Sequence, residues 1–358
     1  MSDYYEIDLW DVQSAKSGDA ISFRSSIDGE TVIHVIDAGF QSTGQKVVDS
    51  INKYYDSPQF IHSVVVTHPD GDHAGGLRTV LEEFDVGALW MLRPWNYAAE
   101  MIDRFENYNS VDRLISRLKK IYPNLAALEE IALANNIPIY EPFQGEGIGD
   151  FTVLAPSKSR YLDLVVQSEK TPEHNDDEVR VSISDLVNEA IHKTVSFFRA
   201  AWGEEVFSPE ETSAENEMSV VQYACILDEK IVLTGDAGRT ALIEAADFAE
   251  QIGITLSGIK KFQIPHHGSR RNVSTDVLDR WLGPRLSSIP QDTQFTALIS
   301  AAREDEHHPK KSVVRAAMHR GGFMAITNGQ NIRSGKNAPA RDGYSPLEAT
   351  PYPDDQEA

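Results

Sequence analysis

Short runs of apolar, β-branched residues alternate along the chain with longer stretches whose apolar positions recur every three to four residues. Residues 5–12 alternate at period two, 19–23 follow a Ser-Gly turn, and 31–36 are almost continuously apolar. Three strands joined by short loops predict a meander that begins a sheet. Helical spacing over 44–55 leads to a buried strand, Val64-Val65-Val66. A helix over 77–84, a strand over 86–92, helical pattern over 97–135 and short strands at 137–140 and 151–156 follow. After an irregular acidic stretch, strands are predicted at 219–227, 230–234, 258–264, 295–300 and 323–327, with helices at 240–251 and 311–321. This rhythm predicts an α/β fold. We read 1–333 as one domain and 157–215 as an acidic, partly helical insertion with a helix over 183–202. Residues 334–358, rich in Pro, Gly and acids, are expected to form a disordered tail.

Chemically capable residues gather just after the apolar runs. Asp37 ends the third strand. His68-Pro69-Asp70-Gly71-Asp72-His73 ends the fourth and packs two imidazoles and two carboxylates into six residues. Pro69 and Gly71 bend the chain there, so that alternate side chains can converge. Asp236, the His266-His267 pair and His308 follow later strands in the same way. Loops at one edge of a layered α/β fold can meet while the core stays dry. Asp70-Gly71-Asp72 lacks the acid spacing and distal Glu of an EF-hand. Asp37 reads equally as a turn acid or as a group orienting a ligand.

Composition narrows the class. The 358 residues are 41% hydrophobic and 25% charged, with no apolar run of membrane-spanning length, and the acidic start has no signal-peptide pattern. One cysteine, Cys225, excludes an internal disulfide and a thiolate-rich zinc cluster. A cytoplasmic protein without membrane attachment is expected. The net charge of −22 argues against a generally basic nucleic-acid surface. The acids concentrate in the insertion, where a protein partner could dock, and in the tail. Basic residues cluster later, around Lys260-Lys261 and Arg270-Arg271.

Taken together, Gly18-Asp19-Ala20, Ile36-Asp37-Ala38-Gly39, Thr67-His68-Pro69-Asp70-Gly71-Asp72-His73-Ala74-Gly75-Gly76-Leu77, Asn216-Glu217-Met218-Ser219, Leu233-Thr234-Gly235-Asp236-Ala237, His266-His267-Gly268-Ser269 and His308-Pro309 carry a family resemblance. The chain resembles metallo-β-lactamase-fold hydrolases, most closely the competence-protein branch, the soluble hydrolase domain of ComEC-type DNA-uptake proteins. The resemblance implies an αββα sandwich with helical insertions and a dinuclear metal site at one edge. By it, His68 and Asp70 would hold one ion, Asp72 and His73 the other, with Asp236 bridging. One of His266 and His267 would complete the second set, His267 being favoured because it directly precedes the Gly-Ser turn. Two features depart from the wider superfamily, which has histidine where Asp70 and Asn216 stand. The second leaves the first ion one ligand short, with Asp37, Asn216 and His266 as further ligand or orienting candidates.

Three carboxylates and three imidazoles suit two divalent ions, Zn2+ or Mn2+. Such a pair can activate a bridging hydroxide for in-line attack on phosphorus, with Asp72 and Asp236 at its heart. Arg93, Lys261, Ser269, Arg270 and Arg271 are candidate substrate contacts, and His308 a candidate proton donor to the leaving group. The expected function is a metal-dependent phosphodiesterase or nuclease, single-stranded DNA being the favoured substrate. The alternatives are a hydrolase of small nucleotides, lactones or other esters, and a metal-stabilised module that binds a partner without catalysis.

Overall fold

The apolar runs pair into two seven-stranded sheets in a computed structural model that describes residues 2–12, 15–105, 108–171 and 196–358. In the first sheet the spatial order is Ile332–Lys336, Tyr4–Leu9, Ala20–Ile27, Glu30–Ala38, Ser63–Val65, Leu89–Trp90 and Ile139–Tyr140. The first four form the antiparallel part, including the expected meander, and from Glu30–Ala38 onward the strands run parallel. The second sheet orders Gly322–Ile326, Phe295–Ile299, Ile259–Gln263 and Glu229–Leu233 in parallel. It finishes with antiparallel Val221–Ile226, Phe151–Ala155 and Gly147–Ile148.

Period-two alternation decides what each strand faces. Ile231 and Leu233 enter the core between the sheets, whereas Val232 packs outward on helices with Phe262. Across the inner core Phe23 of one sheet meets Phe151 of the other edge-on, ring centroids 5.0 Å apart. Outside the second sheet lies the helix Arg239–Gln251, whose Ala241, Leu242, Ala245, Ala246 and Ala249 are buried at helical spacing. Outside the first lie Gly44–Tyr54 and Leu77–Glu83, burying Val47, Val48, Ile51, Leu77, Val80 and Leu81. Each fully buried aliphatic side chain contributes roughly 1.5–3 kcal/mol. The result is an αββα sandwich. Among the described residues no helix is long and apolar enough to cross a membrane.

Three expectations need correction. The strand over 86–92 is split into Asp85–Val86, in a small sheet with Phe60–Ile61, and Leu89–Trp90. Of the helix over 183–202, residues 183–195 lie outside the described residues, and Phe197–Arg199 is a strand. That strand pairs with Asp355–Glu357, so the tail expected to be disordered is built into the fold. Its charges have partners that composition does not show. Arg341 binds the buried Asp8 and Glu6, and Glu357 accepts from the backbone N–H groups of Lys311 and Ser312 at 2.9 and 3.0 Å. Those two donors open the helix Lys311–His319, where a carboxylate also meets the positive end of the helix dipole.

Candidate metal centre

The loops that leave four parallel strands converge. Asp37 closes Glu30–Ala38, His68 to His73 follow Ser63–Val65, Asp236 follows Glu229–Leu233, and His266-His267 follow Ile259–Gln263. Glycine permits two of the close approaches. A Cβ on Gly76 would lie 2.1 Å from the Ala38 carbonyl oxygen, so only glycine lets the motif press against the Asp37 strand. Gly268, at φ 90°, brings the histidine pair against Pro309. Asp37, His266 and His267 themselves have φ of 56°, 48° and 56°. Backbone in this region costs about 1–3 kcal/mol per residue and persists where surrounding contacts enforce it.

Asp236 is the hub. Its Oδ1 lies 3.3 Å from His73 Nε2, and its Oδ2 lies 3.8 Å from His68 Nε2 and 3.7 Å from His266 Nε2. Asp72 Oδ2 is 3.7 Å from His267 Nε2, and Asp70 Oδ2 is 3.8 Å from His68 Nε2. Three sets of donor atoms lie within 4.8 Å of one another: Asp72, His73 and His267; Asp19, Asp236 and His267; and Asp37, His68 and His73.

The unpaired atoms say what the cluster fits. His68 Nε2, His73 Nε2, both ring nitrogens of His267 and Asp236 Oδ1 are buried without a hydrogen-bond partner among the described residues. Buried polar atoms left unpaired cost free energy, and here several point at one another across 3–4 Å. A cation would satisfy them together. The opposite edges of two of these rings are already held. His73 Nδ1 is 2.8 Å from Asp37 Oδ2, and His68 Nδ1 is 3.0 Å from the Thr67 hydroxyl, which donates to Asp37. Orientation of a ligating imidazole through its second nitrogen is the usual second layer of a metal site. Asp37 is placed to orient both rings and also belongs to one of the three donor sets.

Charge leads to the same conclusion. Burial pulls His267 down, but Asp236, Asp19 and Asp72 outweigh it and raise the imidazole to about 10. His73 is likewise lowered by burial and then lifted well above the usual range by Asp236 and Asp37. Burial raises Asp236, and His73, His266 and His267 reverse that, holding it well below the usual carboxylate range. His68 is lowered, by burial first and by His73 second. Asp19, Asp37, Asp70, Asp72 and Asp236 outnumber His68, His73, His266 and His267, so even fully protonated histidines leave a deficit of positive charge that divalent cations can supply.

Two carboxylates outside the candidate set take part. Asp19, 2% exposed, lies 3.6 Å from His267 Nδ1 and accepts from Gln263 Nε2 at 2.6 Å. It opens the antiparallel strand Ala20–Ile27, whose first residue pairs with Ala38, so it reaches the same edge from a strand's amino end. A search for residues after strands passes over it. Gln263 also accepts from Thr234 N and Gly235 N, tying Asp19 to the Asp236 turn. The second is Asp305, whose Oδ2 is 3.0 Å from His308 Nδ1. His308 stacks on His266 at 5.7 Å, and burial lowers its pKa to about 4.

Most of the predicted substrate contacts are elsewhere. Arg93 faces Glu129 and Glu141. Lys261 sits within its strand, before the loop edge that begins after Gln263, and its Nζ is 3.4 Å from the Thr296 hydroxyl. Arg270 donates to the Ala358 carbonyl. Ser269 accepts from Arg271 N, bracing the turn after the histidine pair. Arg271 pairs with Glu210 and, with Asp70, lines a cavity of about 560 Å3 in which carboxylates outnumber cationic side chains. Lys170 reaches Asp70 Oδ1 there at 2.7 Å. Asn216 does not face the hub; its amide lies 2.8 Å from His266 Nδ1.

Residues 25–113 match the family model of the metallo-beta-lactamase superfamily. That segment contains Asp37 and the whole His68–His73 motif. The match covers about a quarter of the chain and shows the likeness of that segment to the superfamily. Similar solved structures include a possible metal-dependent hydrolase from Veillonella parvula, 10% identical over 93% of this chain and 99% of that one, TM-score 0.37. Others are AidC, a dizinc quorum-quenching lactonase (11%, 68% and 71%, TM-score 0.33), and a putative metallo-beta-lactamase from Thermotoga maritima (11%, 65% and 81%, TM-score 0.28). No curated protein sequence matches the chain significantly.

Proposed function

We propose that this metal-binding hydrolase fold serves a phosphodiesterase or nuclease, with single-stranded DNA the favoured polymer. The observation that carries the hydrolytic reading is the convergence of unpaired histidine nitrogens on the two oxygens of Asp236. His68, Asp70 and Asp236 Oδ2 would hold one divalent ion, and Asp72, His73, His267 and Asp236 Oδ1 the other. Zn2+ and Mn2+ both suit this mixture of imidazole and carboxylate. When bound, such ions polarise a phosphoryl oxygen and acidify water. Asp37 and Asp19 keep the His73 and His267 rings in place. His308, held at Nδ1 by Asp305, would give a proton to the leaving oxygen only from its protonated form, which burial disfavours. Arg271 is the one predicted cationic contact that borders the cavity next to Asp70.

A second reading, hydrolysis of a compact ester, is favoured by that same cavity. Its volume of about 560 Å3 is on a small-molecule scale, and its excess of carboxylates is less hospitable to a polyanion. One substrate panel separates the two. Single- and double-stranded DNA, RNA, cyclic nucleotides and a lactone are offered with Mn2+ or Zn2+, with Asp236→Ala as control. Cleavage of single-stranded DNA that disappears in Asp236→Ala supports the nuclease. Hydrolysis of the lactone alone overturns it. Bound metal with no turnover of any substrate would leave a scaffold for a partner docked on the acidic insertion.

A further inference from the structure

The histidine pair divides between the two oxygens' surroundings. His267 turns to Asp72 and Asp19, whereas His266 Nε2 points to Asp236 Oδ2, the oxygen that His68 also approaches. We propose that His266 is a metal ligand of the His68–Asp70 half, so that the adjacent histidines serve the two halves of the centre separately. The inference rests on the paired-ion reading above.

A histidine can ligate through Nε2 only if its proton sits on Nδ1. Asn272 offers an acceptor for that proton. Its Nδ2 donates to the Asp236 carbonyl at 2.8 Å, which leaves Oδ1 facing His266 Nδ1 at 3.2 Å as a proton acceptor. Asn272 is fully buried, so this amide orientation is enforced. As placed, Asn216 Nδ2 faces that same Nδ1 at 2.8 Å and donates to the Thr212 hydroxyl at 2.7 Å, an orientation that would leave the ring proton on Nε2. Turning that amide over costs nothing at Thr212, whose hydroxyl donates as well as it accepts, and gives the Nδ1 proton a second acceptor. His266 is thus held as His68 and His73 are, by its far nitrogen, with Nε2 left for the hub. Asp70 adds Oδ2 on this side while Lys170 holds its Oδ1. The half so completed comprises His68, Asp70, His266 and Asp236.

Ions per chain decide the matter without reference to turnover. The full chain is loaded with Mn2+ or Co2+, freed of excess by gel filtration, and measured by elemental analysis and, for Co2+, visible absorption. Wild type is expected to carry two ions and His266→Ala one, with Co2+ absorbance about halved. Asn216→Leu should weaken the second ion roughly 10–100-fold, as loss of an orienting partner does, and Asn216→Asp, which keeps an acceptor, should restore it. Two ions of unchanged affinity in His266→Ala overturn the proposal, as does a single ion in both wild type and His266→Ala. Absence of any ion from wild type would instead refute the metal reading itself. If circular dichroism shows His266→Ala unfolded, the Asn216 pair decides, and equal second-ion affinity in Asn216→Leu and wild type overturns the assignment.

Discussion

The two sides of the centre use the same kinds of side chain but are backed differently. His73 and His267 each have a carboxylate behind them, Asp37 and Asp19. His68 and His266 are backed by a hydroxyl and two amides. The contrast extends to His34, a buried histidine in the inner core with neither nitrogen paired among the described residues. Burial lowers His34 to about 4, while the carboxylates around His267 raise it to about 10. The same ring is a poor proton acceptor in one setting and a strongly basic one in the other. A carboxylate backing raises a ligand's basicity and fixes its ring; a neutral backing fixes the ring alone.

Removing the shared group should erase the difference. Asp236→Ala is expected to lose both ions and all hydrolysis above background, measured by elemental analysis and the substrate panel. A variant that keeps either ion would show that the halves do not depend on one hub. His34 tests the unbacked extreme. Its folded pKa lies below the unfolded value of about 6.5, so the unfolded chain takes up the proton first. Stability from this group is constant above pH 6.5 and falls as pH drops toward 4, by about 3 kcal/mol in all. Urea midpoints across that range should show the slope, and His34→Leu should flatten it.

Ion binding should raise stability by about 2.7 kcal/mol when free metal is a hundredfold above its Kd. Chelation should reverse the accompanying rise in Tm. An unchanged Tm would mean the unpaired atoms are not gathered by a cation. The finest test sets the backings against each other. Asp37→Ala and Asp19→Ala should each weaken metal binding roughly 10–100-fold in calorimetry, and Thr67→Val less than either. Because the Thr67 hydroxyl also donates to Asp37, the double variant is needed to separate the two. Equal losses in all three would show that carboxylate backing adds nothing beyond orientation.

Much of this was legible along the chain. The meander, the parallel strands and the helix over 240–251 follow from periodicity, because a half-buried strand or helix must repeat its apolar face. The residues of the hub were visible because several chemically capable groups follow apolar strands. Asp19 was hidden because it precedes its strand, and antiparallel pairing brings that end to the same edge. Arg93 and Lys261 were misread because proximity to a motif in sequence says nothing about which way a strand or loop turns a side chain. The tail was misread because Arg341 finds its partners 333 and 335 residues away, and Asp355 and Glu357 theirs 44 to 46 residues away.

The sequence by itself determined the chemistry on offer: which imidazoles and carboxylates stand at strand ends, and how tightly the first four are spaced. Only the tertiary structure decided their roles. Strand register brought Asp19 behind His267, and left-handed backbone turned His266 to Asp236 and His267 to Asp72, with Asn272 against the far nitrogen of His266. Those assignments depend on angles and distances of a few ångströms between segments remote in the chain, and local residue order does not encode them.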